Sequence, residues 1–209
     1  MLMAGTILVA AGTNGAGKSS IVQPFIEAQG GSYFNPDTQA RKLVSLGIPQ
    51  NDANAFAWQQ GHDQLTRSIE SDQSFAFETT LGGHSIAYQL MRALAFKRRL
   101  IILYVGLSSV DLHIQRVQAR VATGGHDIPE DKIRLRYRES RARLLSFIGT
   151  DATVRVWDNS VQSVTGQPSG ATEVFRVEGR RLVFPVGRDM TATPQWAQPL
   201  LAQAIRLRL

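Results

Sequence analysis

The chain has no cysteine. That excludes disulfides, thiolate-ligated metals and thiol nucleophiles together, and it fits a reducing cytoplasm. No apolar run approaches the roughly 18 residues that mark a membrane-spanning helix. The opening Met1-Leu2-Met3-Ala4 lacks the basic segment of a secretion signal, and the apolar stretch after it ends in a motif. The four histidines show no metal-ligand spacing. Trp58, Trp157 and Trp196 read as core or edge packing rather than as stacking platforms. No internal repeat or low-complexity tract is present. Several nucleotide-handling signatures are missing too: the Asn-Lys-x-Asp of guanine recognition, the Leu-Ser-Gly-Gly-Gln of transport ATPases, and an apolar strand closing on aspartate.

Against these absences stands Gly12-Thr13-Asn14-Gly15-Ala16-Gly17-Lys18-Ser19, a match to the phosphate-binding P-loop at every defined position. Glycines let the backbone turn so that successive N–H groups converge on phosphate oxygens. The lysine reaches the β- and γ-phosphates, and the serine hydroxyl ligates Mg²⁺. The apolar, β-branched run Thr6-Ile7-Leu8-Val9-Ala10 precedes it and predicts a buried parallel strand. Ser20-Ile21-Val22-Gln23 follows it as a helix start, with Ser20 at the phosphate-facing end. ATP and Mg²⁺ are the expected cofactors.

A length of 209 residues predicts one domain. Apolar runs recur at Ser32–Phe34, Ser74–Phe77, Leu100–Val105 and Val154–Trp157, too far apart for hairpins, with helical patterns between. This alternation predicts an α/β P-loop NTPase sandwich, three layers around a parallel sheet, with its core at about residues 5–160. Ser108 or Ser109 caps a helix on which Val110, Ile114, Val117 and Val121 share a face. Gly124-Gly125 breaks it, and Asp127 and Pro129 open a second helix. Between His113 and Arg143 arginines outnumber acids, and the whole chain carries a net charge of +6. Two arginine-bearing helices on a glycine hinge predict a lid that closes over a phosphate chain. Ser160 to Ala171 reads as a linker. Glu173–Val177 and Arg181–Val186 read as a hairpin outside the parallel sheet, and Pro194–Leu207 as a terminal helix, the addition covering about residues 172–209.

Ligands of such sheets bind beyond the carboxyl ends of the strands. The rim there carries Asn35-Pro36-Asp37, Glu78-Thr79-Thr80 and Asp158-Asn159-Ser160. Asp37 is the candidate base for an acceptor hydroxyl, although an aspartate after proline also suits a helix cap. Glu78 is either a ligand of the substrate hydroxyl or a rim charge. A phosphoryl-transfer site needs cations beyond Lys18 and Mg²⁺, and Arg116, Arg120, Arg134 and Arg136 are the candidates. His126, beside the hinge, is a weaker one.

Taken together, these stretches resemble the zeta-toxin-like P-loop kinases. The resemblance rests on Gly12–Ser20, Tyr33–Asp37, Phe75–Thr80, Arg116 through Gly124-Gly125-His126-Asp127-Ile128-Pro129 to Arg136-Tyr137, and Asp158–Ser160. It implies a fold related to adenylate and shikimate kinases. It also implies ATP-dependent phosphorylation of a small hydroxylated acceptor, in the toxin branch UDP-N-acetylglucosamine, with an antitoxin protein covering the ATP site. By position Asp37 is the implied base, and Lys18 and Ser19 serve the triphosphate and Mg²⁺. Asn35, Glu78, Thr79 and Thr80 would touch the acceptor, and Arg120 is the first lid arginine. The second lid cation falls at His126, with Arg134 or Arg136 supplying its charge, and Asn159 approaches the adenine. The founding toxins are longer than this chain. A polynucleotide kinase and a non-catalytic ATP sensor with a protein partner are the rival readings.

Overall fold

The run Thr6–Ala11 forms strand β1, and every one of its residues is buried. The computed structural model describes residues 4–27, 33–161, 170–185 and 192–207. Met1–Met3, Ser32, most of the expected linker and Val186 lie outside them. Alternate residues of β1 serve two cores. Leu8 and Ala10 pack with Val22 and Ile26 of α1 (Lys18–Glu27) on one face. Ile7 and Val9 pack on the other, with Leu65 and Ile69 of α3 (Gln50–Ser71) and Leu90 of α4 (His84–Ala95). A strand covered on both faces has no polar side, which is why its sequence shows no alternation.

β2 (Tyr33–Phe34), β3 (Phe75–Thr79), β4 (Arg99–Gly106) and β5 (Thr153–Asp158) join β1 in parallel, in the order β2-β3-β1-β4-β5. The chain leaves β1 between β3 and β4, so the crevice beyond the carboxyl end of β1 is the topological switch point where open sheets bind ligands. The expected three-layer P-loop architecture is present. The C-terminal hairpin, β6 (Thr172–Glu178) and β7 (Arg181–Phe184), differs in one respect from expectation. It is not separate from the sheet but continues it: β6 pairs antiparallel with β5, giving a seven-stranded sheet. Phe175 and Val177 bury their side chains in the main core, which anchors the hairpin and covers the β5 edge. A 3₁₀ turn (Gln195–Ala197) and α7 (Gln198–Arg206) follow, and Trp196, Leu200, Leu201 and Ala204 pack into the same core.

Two satellite clusters flank the crevice. α2 (Pro36–Ser45) and α3 share Ala40, Ala53 and Ala57. The lid helices α5 (Val110–Ala122) and α6 (Glu130–Leu145) pack through Ile114, Val117 and Ile133, together with Ile128 of the segment that joins them. The lid therefore has an apolar centre of its own. Ser109 is its N-cap, its hydroxyl accepting from Leu112 N at 3.1 Å.

Candidate active site

After Ala11 the chain turns at Gly12, where φ is +140° and a Cβ would stand 2.2 Å from the Val105 carbonyl oxygen of β4. Gly17 has φ +86°, and a Cβ there would lie 2.5 Å from Asn159 Nδ2. Neither position admits a side chain, so the loop lies flat on β4 and β5. It delivers Lys18 as the first residue of α1, at the positive end of the helix dipole. Lys18 is buried, with Nζ 3.4 Å from Thr13 O and 3.3 Å from Glu78 Oε1.

Glu78 is the junction of the site. Its Oε2 accepts from Ser19 Oγ at 2.7 Å, the Tyr33 hydroxyl at 2.9 Å and Asn35 Nδ2 at 3.0 Å. Three donors and one ammonium satisfy the oxygens of this half-buried carboxylate. Burial, and then the Glu78 charge, push the Tyr33 phenol well above its ordinary range, so it remains a donor. Glu78 does line the cleft, yet its carboxylate is spent on the P-loop serine and lysine rather than turned outward.

Asn35, and not Asp37, is the cap of α2. Helix α2 begins at Pro36, two residues earlier than an Asp37 cap would need, and Asn35 Oδ1 caps it by accepting from Asp37 N at 2.9 Å and Thr38 N at 3.2 Å. The Asp37 carboxylate is left exposed on the cleft wall, with no hydrogen bond or ion pair among the described residues.

The cleft has a volume of about 600 Å³. Asn14, Lys18, Asn35, Asp37, Glu78, Thr79, Thr80, His126 and Arg136 line it, so the structure brings these sequence candidates together. Thr79 and Thr80 hydroxyls also accept from Leu81 N and Gly82 N, fixing the turn after β3. Arg136 donates Nη1 to Asn14 Oδ1 at 2.9 Å, joining α6 to the P-loop. Burial lowers its pKa, and the Asp37 charge partly offsets that.

Other candidates stand elsewhere. Arg134 is exposed and paired with Glu130 at 2.7 Å and Asp111 at 3.1 Å, so it does not reach the cleft. Arg120 Nη2 donates to the His126 carbonyl at 2.9 Å, which ties the end of α5 to the hinge. Ser20 is exposed on the first turn of α1. Asn159, expected near adenine, is buried beneath the P-loop and donates Nδ2 to Ala16 O at 2.9 Å; the amide holds the loop from behind. Trp196 packs as expected, with Nε1 on Asp158 at 2.9 Å, whereas Trp58 is 45% exposed and lines the cleft.

His113 was invisible as a site residue. It is buried, and its Nδ1 lies 2.8 Å from the Asn14 carbonyl, an obligate acceptor, so the proton sits on Nδ1. Burial lowers its pKa to about 4. No spacing marks it, because its partner is a backbone atom distant in sequence.

The site fits Mg²⁺ and ATP on its own chemistry. The Arg116 guanidinium nitrogens Nη1 and Nη2 are buried with no hydrogen-bond partner among the described residues. Burial depresses the Arg116 pKa, with the Asp158 charge acting against it. Such a cation wants an anion, and a triphosphate is one. Ser19 Oγ and Glu78 supply hard oxygen donors, the small set that Mg²⁺ uses when phosphates complete its shell.

No protein-family model matches the chain. An uncharacterized protein of Haemophilus influenzae is 31% identical over 133 residues, covering 60% of this chain and 88% of that protein. The chain belongs to that protein's family. Among solved structures, the crystal structures of AvrRxo1-ORF1:AvrRxo1-ORF2 with sulphate ions and AvrRxo1-ORF1:-ORF2 with ATP each align with a TM-score of 0.63 and 14% identity, over 91% of this chain and 64% of that one. The chain thus spans less than two thirds of that neighbour. The native complex aligns with the same score at 13% identity, over 97% of this chain and 70% of its own. At such identities the likeness shows the fold alone, which this chain shares with those AvrRxo1-ORF1:AvrRxo1-ORF2 structures.

Proposed function

We propose that the protein is an ATP- and Mg²⁺-dependent phosphotransferase acting on a hydroxyl of a small metabolite of the nucleotide-sugar kind. The carrying observation is Asp37: Asn35 takes over the cap, leaving an unengaged carboxylate on the wall of a cleft whose floor holds Lys18. That is the placement a general base requires. The glycine cradle and α1 would hold the triphosphate of ATP, with Lys18 on its outer phosphates and Mg²⁺ at Ser19 and Glu78. The bound metal would neutralise charge on the phosphates. Asp37 takes the proton of the acceptor hydroxyl, Thr79 and Thr80 orient that acceptor, and Arg136, held by Asn14, brings a positive charge to the cleft. Arg116 and Arg120 complete the lid on the nucleotide side. A protein partner of the antitoxin kind and a cytoplasmic location belong to the same reading; among the described residues no helix is long and apolar enough to cross a membrane.

The test is transfer of γ-labelled phosphate from ATP into a metabolite extract. Asp37→Asn is expected to lower turnover about 10²–10⁴-fold while ATP binding stays intact. Lys18→Ala is expected to lose both. Wild-type turnover in Asp37→Asn would remove Asp37 from the base role.

A further inference from the structure

The Arg116 guanidinium is bare although an acid stands near it. Its Nη1 and Nη2 are buried with no hydrogen-bond partner among the described residues, yet the charge of Asp158, at the end of β5, acts on it. A guanidinium out of water ordinarily pairs with such a carboxylate, because an unpaired buried charge is costly.

Asp158 is occupied by other donors. Its Oδ1 accepts from Trp196 Nε1 at 2.9 Å and from the Ser160 hydroxyl. Ser160 is fixed in turn, its Oγ accepting from Ser108 N at 2.7 Å. Trp196 is buried, and its indole lies so close over β4 that a Cβ at Gly106 would stand 2.2 Å from ring carbon Cη2. On its other contacts the ring meets Tyr104, with centroids 6.3 Å apart. The next residue after Asp158 is Asn159, which braces the P-loop at Ala16 O, so this carboxylate stands one residue from the phosphate cradle.

Trp196 comes from the C-terminal addition, outside the parallel strands that carry the P-loop. Apolar cover for the core would be met by a phenylalanine or a leucine. The indole nitrogen goes beyond cover, since it is aimed at the carboxylate that faces Arg116.

We propose that Trp196 is a positioning residue of the nucleotide site: with Ser160 it holds the Asp158 carboxylate off Arg116, which keeps that guanidinium free for the phosphates of ATP. The C-terminal addition is thereby part of the nucleotide site as well as cover for the β5 edge. This rests on the ATP-binding half of the kinase reading and needs no acceptor.

Calorimetry with Mg²⁺ and a non-hydrolysable ATP analogue tests it. Trp196→Phe keeps a ring over Gly106 and loses the donor. Asp158 is then held by Ser160 alone and is expected to pair with Arg116 in most molecules. Apparent affinity falls with the fraction left unpaired, an expected loss of about five- to tenfold. The double variant Trp196→Phe/Asp158→Asn separates positioning from packing. An asparagine amide carries no charge to neutralise Arg116, so affinity is expected to return to within about twofold of Asp158→Asn alone. Such recovery also excludes a general loss of structure in Trp196→Phe. In an Arg116→Gln background, Trp196→Phe is expected to change nothing further.

Wild-type affinity in Trp196→Phe overturns the proposal. So does a loss that persists at full size with Asp158→Asn, which would place the effect in packing beneath the P-loop. Wild-type protein that binds no analogue defeats the ATP-binding reading itself, and the inference with it.

Discussion

The side chain of Asn35 uses both ends of its amide: the oxygen caps α2, and the nitrogen donates to Glu78 and Ser19. Asn14 and Asn159 are occupied in comparable ways, one holding Arg136 and the other the Ala16 carbonyl. All three sit in motifs the sequence singles out, yet a motif names a position and not which way an amide faces. His113 is the extreme case, a residue whose importance comes wholly from burial against the P-loop. Its surroundings are basic, with Lys18, Arg116 and Arg141 all opposing a second proton, and the Tyr137 ring packs edge-on at 5.5 Å. Its pKa falls from the ordinary 6.5 to about 4. Between those values the unfolded chain binds the proton and the folded one does not, so stability is full above pH 6.5 and drains away as pH falls toward 4. The loss is on the order of 3 kcal/mol. Asn in place of His113 keeps an N–H toward Asn14 without titrating. The melting temperature of His113→Asn is therefore expected to fall less than that of wild type from pH 6.5 to 4, both measured by circular dichroism. Parallel curves would show that His113 does not carry the acid sensitivity.

At the scale of elements, the P-loop unit, the parallel strands and both lid helices are legible because each has a strong local signature: a run buried on both faces, a capping serine, a glycine break. The hairpin was legible as a hairpin but not in its place. β6 pairs with β5 across an interval that includes residues outside the described set, and long-range pairing leaves no local trace. The same holds for the 3₁₀ turn, whose Trp196 reaches the far end of β5. There Asp158 Oδ1 accepts from Trp196 Nε1 and from the Ser160 hydroxyl, and Ser160 Oγ accepts from Ser108 N at 2.7 Å. The C-terminal addition is thereby tied to the strand end that faces Arg116. Trp196→Ala is expected to cost about 3–5 kcal/mol through the cavity it leaves. Trp196→Phe, which keeps most of the ring and loses the donor, is expected to cost about 1 kcal/mol for the hydrogen bond plus a smaller packing loss. Urea midpoints at constant slope measure both. If the two variants cost the same, the indole nitrogen is the main contributor and the packing is incidental.

The charge of the whole molecule is where composition invites the wrong partner. A net +6 with arginines concentrated between residues 113 and 143 suggests a nucleic-acid surface. The arrangement points elsewhere. Arg134 is neutralised by Asp111 and Glu130, Arg143 by Glu139, and Arg141 lies over the Tyr137 ring at 3.8 Å. Arg120 and Arg136 are engaged within the lid and at the P-loop, and Arg116 has its Nη1 and Nη2 buried with no hydrogen-bond partner among the described residues. Much of the arginine excess thus serves the lid's own cohesion and its tie to the P-loop, which leaves little of it as a track for a phosphodiester backbone. Salt distinguishes the two uses. A protein that engages 6–10 backbone phosphates loses about 10³–10⁵ in affinity between 50 and 200 mM salt, whereas a compound with one or two phosphates loses about tenfold or less. The acceptor KM of this protein, measured at saturating ATP over that range, is expected to follow the second behaviour. A thousandfold rise would instead mean that the exposed basic residues of α6 act together on a polymer, and the cleft beside Asp37 would then have to admit a strand end rather than a small metabolite.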